Sequence, residues 1–364
     1  MKKLLNYVLV VSMLVVALFV LTGCGKEESQ VVEQNQGQVE QKETEKEVEK
    51  KEEAKAPEIK IFNGNDRPIA FMIDNNKNAQ PQASLNSAYM VYEIIVEGGE
   101  SRLMALFKGV VADQVGPIRS ARHYFIDYAM ENDALYAHLG MSPQAQATFQ
   151  EFGIQHINGQ VYDTGKARTD SSLYWRATHK KAPHNAYTNT ESILEIAKGY
   201  GWKTTSEKES VLNYVAEEVV LNGEDAFSVE SVKIPYAKGH TVEYKYNEET
   251  GRYTRWSKGK KMFDEMTDEE VTTKNIIITF AENYTLDDGE NKGRQDVLTI
   301  GSLDGYYITN GKAIKIKCNK TSRFEQTEYV DLNGNEIKVN DGNTWVNVCP
   351  IEANVIFTGL EEEV

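Results

Sequence analysis

Near Val229 the chain changes its hydrophobic period, and that change limits the folds open to it. Upstream, short apolar runs alternate with helical patterns. Pro68–Asp74 is an apolar run ending in Asp74-Asn75-Asn76, Ala88–Glu97 is a second, and Gly98-Gly99 turns the chain into a third from Arg102 to Val111. Helical patterns follow at 142–152, where Ser142 is placed to cap and Pro143 to occupy the first turn, and at 192–200. Downstream the runs are short, alternate residue by residue and are punctuated by turns. Thr241–Tyr246 and Arg252–Trp256 flank a glycine-containing loop in the manner of a hairpin. The pattern predicts an α+β protein: a layered mixed α/β domain over 59–215, with ligands at the C-terminal ends of its strands, then a mostly β domain over 229–364, a sandwich or open barrel.

The first 58 residues belong to neither domain. Lys2 and Lys3 precede an apolar run from Val8 to Val20 that is short for a membrane span and is followed at once by Leu21-Thr22-Gly23-Cys24. This resembles a bacterial lipoprotein signal, which implies removal of residues 1–23 and lipid on the Cys24 sulfur. Two acyl chains at about 0.8 kcal/mol per buried CH₂ make a stable anchor. Lys26–Glu58 holds six Lys and eleven Glu with little apolar content, so it reads as a solvated tether. As a flexible coil it spans about 30–35 Å. Beyond Cys24 only Cys318 and Cys349 remain, equally compatible with a disulfide or with two buried thiols, and there is no cysteine cluster for zinc. A net charge of −15 argues against nucleic acid as a partner. No cofactor or metal site is expected.

Against that acidic background, Gly116-Pro117-Ile118-Arg119-Ser120-Ala121-Arg122-His123 stands out. A helix starting at Pro117 sets Arg119, Arg122 and His123 on one face, with the cations at the positive end of the helix dipole. A carboxylate of the protein or a bound anion must then offset them. Arg102 is a third candidate, since guanidinium forks suit phosphate and carboxylate. Asp74, at the end of an apparent buried strand, is either a working carboxylate or the first residue of an Asx turn. Asp163–Asn189 is a long polar segment in which His184 of Pro183-His184-Asn185 is the histidine best placed to act.

Four stretches in order, Arg67–Asn75, Val91–Glu93 with Val96–Gly99, Gly116–Arg122 and Ala182–Tyr187, together resemble the YerB-type bacterial lipoproteins. That resemblance covers the chain after the tether. It implies an extracytoplasmic lipoprotein with two domains of unknown function and no established reaction. A looser similarity links Arg102–Leu106 and Gly116–Arg122 to the LytR–CpsA–Psr enzymes, which imply arginines on a pyrophosphate; the acidic metal-binding residue of that pattern is absent here.

The expectation is a lipoprotein anchored on the outer face of the membrane, holding an anionic envelope ligand with Arg102, Arg119, Arg122, Asp74 and His184. The alternatives are an envelope enzyme of phosphotransfer or hydrolysis, and a protein–protein scaffold built on the β domain.

Overall fold

The computed structural model describes residues 58–359. The expected signal sequence, Cys24 and all of the tether before Glu58 lie outside the described residues.

Strands β1 (Ile69–Asp74), β2 (Met90–Ile95) and β3 (Ser101–Phe107) are buried along their whole length, as strands covered on both faces must be. Helix α1 (His123–Glu131), strand β4 (Leu135–His138), helix α2 (Pro143–Phe152), strand β5 (His156–Asn158) and helix α3 (Thr190–Gly199) follow. The capping signals at α2 are realised: Ser142 Oγ accepts from the Ala145 amide at 3.2 Å, and Gly153 ends the helix at φ 61°. Asn189 caps α3 in the same way, accepting from Ser192 N at 2.7 Å.

The expected helix start at Gly116-Pro117 is not what forms. Residues 117–122 are extended, and α1 begins only at His123, with Arg122 as its N-cap at φ −127°. Long-range backbone bonds hold this segment open. Asp74 N donates to Pro117 O and Arg119 N to Met72 O, both at 2.8 Å, while Ile118 N donates to Ala186 O at 2.7 Å and Leu139 N to Arg119 O at 2.9 Å. Arg119 and Arg122 therefore share no helix face, and the dipole argument does not apply to Arg119.

The strand-rich C-terminal part is present, and most of its strands divide between two large sheets. Asn275–Ala281, Gly301–Thr309, Lys312–Lys320, Glu328–Asp331 and Thr344–Pro350 extend the same 11-stranded sheet that contains β1–β5. Thr344–Pro350 lies parallel between β2 and Asn275–Ala281, Thr344 pairing with Met90 on one side and Asn275 on the other. The second large sheet has six strands, centred on His240–Asn247 between Ser231–Ala237 and Arg252–Ser257. Its residues alternate buried and exposed, the mark of a sheet with one face against protein. That face lies on β2 and on Thr344–Pro350: the Tyr236 hydroxyl donates to Glu93 O at 3.1 Å, and Tyr244 to Asn347 Oδ1 at 3.1 Å. On the opposite face of β2, Tyr92 donates to Glu131 of α1 at 2.9 Å. Cys318 and Cys349 are both buried free thiols.

Candidate functional site

β1 and β2 both run antiparallel to β3, and β4 and β5 run parallel to β1, so β1, β2, β4 and β5 all finish at the same end of the large sheet. Asp74 closes β1, Glu97 lies in the turn after β2, and Arg102, second in β3, stands directly opposite Asp74. The extended 117–122 segment crosses this end, bringing Arg119 and Arg122.

Asp74 is both an Asx turn and a hub. Its Oδ1 accepts from Asn76 N at 3.0 Å. Its Oδ2 meets His184 Nδ1 at 2.7 Å and Arg119 Nε at 3.2 Å, with the carboxylate only 6% exposed. The sequence-derived residues divide into two groups around it. Arg122 forks onto Glu97, Nε to Oε1 at 2.6 Å and Nη2 to Oε2 at 2.9 Å, and Arg102 Nη2 lies 3.8 Å from the same carboxylate. Arg102 and Arg122 also donate to Ser120 O, and Arg122 to Ala121 O. These two guanidiniums are thus held by protein. Arg119 differs: among the described residues neither of its terminal nitrogens has a hydrogen-bond partner. Three cations face two carboxylates, and the surplus is felt. Burial lowers the Arg102 guanidinium to about 10, Arg122 and Arg119 push the same way, and Glu97 opposes them. Burial alone would raise Glu97, but the Arg122 hydrogen bonds and charge, joined by Arg102, carry it below the usual carboxylate value.

Beside His184 opens a cleft of about 620 Å³, lined by His179, Lys180, Lys181, Asn78 and Gln80 among others. A larger hollow of about 910 Å³ lies against 214–222, but its charged lining is Glu58, Glu217, Glu218 and a single Lys338, an unsuitable lining for an anion. The lining of the smaller cleft comes from residues 78–184, and the C-terminal half braces it from behind. Glu265, on the loop between Lys260–Lys261 and Thr272–Thr273, takes His179 Nε2 on Oε1 at 2.9 Å and Tyr187 OH on Oε2 at 2.7 Å, and pairs with Lys180 at 2.5 Å. Burial pushes the Lys180 ammonium down, against the pull of Glu265. The neighbouring Asp264 accepts from the amides of Ser84 and Asn86 at 3.0 and 2.9 Å, fixing the strap that leads from Asp74.

Sequence reasoning missed Asp264 and Glu265, which sit in an acidic turn indistinguishable from a solvated surface, and left open which carboxylate would offset the arginines; for Arg102 and Arg122 it is Glu97. The other histidines have structural partners: His138 Nδ1 with Gly140 O at 2.8 Å and His123 Nε2 with Asp296 at 2.7 Å.

Comparison with known proteins places this architecture. The chain is 30% identical over 295 residues to the Bacillus subtilis (strain 168) protein named "Putative lipoprotein YerB", covering 78% of this chain and 81% of the relative. The crystal structure of YerB protein from Bacillus subtilis superposes with a TM-score of 0.69 at 28% identity, over 80% of this chain and 94% of that one. The looser likeness to LytR–CpsA–Psr enzymes finds no support in these comparisons. Residues 56–203 match the N-terminal domain, and 232–346 the C-terminal domain, of a protein family of unknown function, DUF3048, and the chain belongs to that family.

Proposed function

We propose that this protein is anchored through lipid on Cys24 at the outer face of the cell membrane and binds an anionic group, phosphate or carboxylate, of an envelope molecule. The observation that carries the reading is Arg119. Its neighbours Arg102 and Arg122 are engaged by Glu97, while its own fork keeps two terminal nitrogens unpartnered beside the Asp74–His184 pair. A planar fork drawn toward Asp74 by charge alone, with no hydrogen bond spent on it, keeps its donors for parallel bonds to an oxyanion. Arg102 and Arg122 act behind it as fixed positive charge.

The test is thermal unfolding of the full-length chain with phosphate, pyrophosphate or citrate, beside Arg119→Ala. A ligand at a hundred times its dissociation constant adds about 2.7 kcal/mol of stability. That gain is expected in the wild type and absent in Arg119→Ala. No shift with any anion would retire this reading and turn attention to protein partners.

A further inference from the structure

Two histidines five positions apart on one loop line the same cleft, and each has one ring nitrogen on a carboxylate. His184 presents Nδ1 to Asp74 at 2.7 Å, and His179 presents Nε2 to Glu265 at 2.9 Å. The other nitrogen of each ring, Nε2 of His184 and Nδ1 of His179, has no hydrogen-bond partner among the described residues. A carboxylate on one nitrogen fixes tautomer and ring orientation and stabilises the imidazolium, which prepares the opposite nitrogen to take or give a proton. The two orienting carboxylates come from different parts of the chain: Asp74 from the end of β1, Glu265 from the loop that reaches over from the six-stranded sheet.

We propose that this cleft hydrolyses phosphodiesters, with His184 as general base and His179 as general acid. The proposal rests on the preceding reading, that Arg119 holds an oxyanion beside Asp74. Exposure assigns the roles: the His184 side chain is 16% exposed and lies against Arg119's carboxylate partner, where attack is sheltered, whereas His179 is 55% exposed at the rim, where a departing alcohol meets solvent. Charge selects the substrate class. Lys181 lines the cleft, and behind His184 the Asp74 carboxylate also meets Arg119, while the Lys180 ammonium is spent on Glu265 and Tyr187; this modest positive charge suits a singly charged phosphodiester that gains a second negative charge on the way to its transition state.

In the step itself, His184 Nε2 removes a proton from a water molecule as the water oxygen bonds to phosphorus. The bond from phosphorus to the alcohol oxygen breaks in line, and that oxygen takes the Nδ1 proton of protonated His179. The products are a phosphomonoester and an alcohol. Exchange with solvent resets both rings.

The experiment uses the full-length chain with bis(p-nitrophenyl) phosphate, and separate arms of phosphatidylglycerol vesicles and soluble glycerol-phosphate oligomers, which tell a lipid headgroup from a polymer source. Phosphate binding is followed in parallel by thermal shift. Wild-type turnover is expected to fall about 10²–10⁴-fold in His184→Asn and in His179→Asn, with thermal midpoints retained and the phosphate shift kept in His179→Asn. His184→Gln is a second variant should His184→Asn fail to fold. Turnover that survives loss of His184, or a wild type that binds phosphate yet hydrolyses nothing in any arm, overturns the proposal and leaves the binding reading standing. A wild type that neither binds nor turns over ends both.

Discussion

Glu93→Gln isolates the charge that joins the two sheets. Glu93 and Arg255 are both wholly buried, one on β2 and the other on Arg252–Ser257, and they pair through Oε2 and Nη2. Ser101 Oγ at 2.6 Å and Asn75 Nδ2 at 3.0 Å occupy Oε1, and the Arg255 guanidinium lies 4.4 Å from the centre of the Trp345 ring. Burial would raise the Glu93 acid, but Arg255 dominates the net effect, helped by His240 and Ser101, and lowers it from 4.5 to about 2. A carboxylate whose folded value is depressed adds stability above its unfolded value and loses it as pH falls through the folded one. The window is thus from about pH 4.5 down to about 2, and the amount is about 3 kcal/mol. Glutamine keeps the shape and leaves Arg255 buried without its counter-charge, a loss of about 3–5 kcal/mol by the general behaviour of broken buried pairs. Equilibrium urea unfolding at pH 7 is expected to show a gap of that size between wild type and Glu93→Gln. By pH 3 the gap should shrink to about half, because the wild type is surrendering the same term. The double variant Glu93→Leu/Arg255→Met, which removes both charges, should recover most of the loss. A gap below about 1 kcal/mol at pH 7, or one unchanged at pH 3, would refute the reasoning.

Asp127 behaves in the opposite sense. Burial raises it from 3.8 to about 6 against Arg323 and the Thr299 hydrogen bond, so ionising it opposes the fold as pH rises from about 4 to 6. Asp127→Asn is therefore expected to raise stability at pH 7 by up to about 3 kcal/mol, with no gain below pH 4, in paired thermal melts. Burial pushes the Cys318 and Cys349 thiols up to about 12, so a thiol reagent should label neither in the native protein and both after denaturation. Labelling at native rates would contradict the buried placement. Gly305→Ala puts a Cβ onto the Ile278 carbonyl oxygen of the adjacent strand, and a loss of about 1–3 kcal/mol in urea unfolding is the expected result.

Local signals were legible in the sequence wherever local physics decides the structure. Ser142-Pro143 declared the start of α2, Asp74-Asn75-Asn76 declared a turn after a buried strand, and the Thr241–Trp256 hairpin was visible in its alternation and its glycine-bearing loop. The 117–122 segment was misread because its backbone groups bond to residues remote in sequence, Met72, Ala186 and Gly140 among them, and such bonds override helix-start propensity. Gly116 itself adopts φ 149°, and a Cβ there would stand 2.8 Å from Ala186 O, so the glycine serves close passage of two segments of the chain rather than helix entry. Of the site, the arginines, Asp74 and His184 could be proposed from residue type and context. The division between protein-held Arg102 and Arg122 and the unpartnered Arg119 could not, since it depends on which carboxylate the fold delivers to each. Glu265 was beyond reach for the same reason.

The position of Thr344–Pro350 sets an order of events in folding. Until that strand arrives, β2 presents an open edge on the side it will close, and Asn275–Ala281 presents another, each a row of unpaired amides and carbonyls able to capture a second chain. The residues that carry the arginine cluster therefore depend, for a closed sheet, on a segment near the far end of the chain. Such long-range parallel pairing is slow to form and leaves intermediates sticky. The late strand acts as a completion latch: a chain stopped before Thr344 has every residue of the candidate site and no finished sheet to hold them.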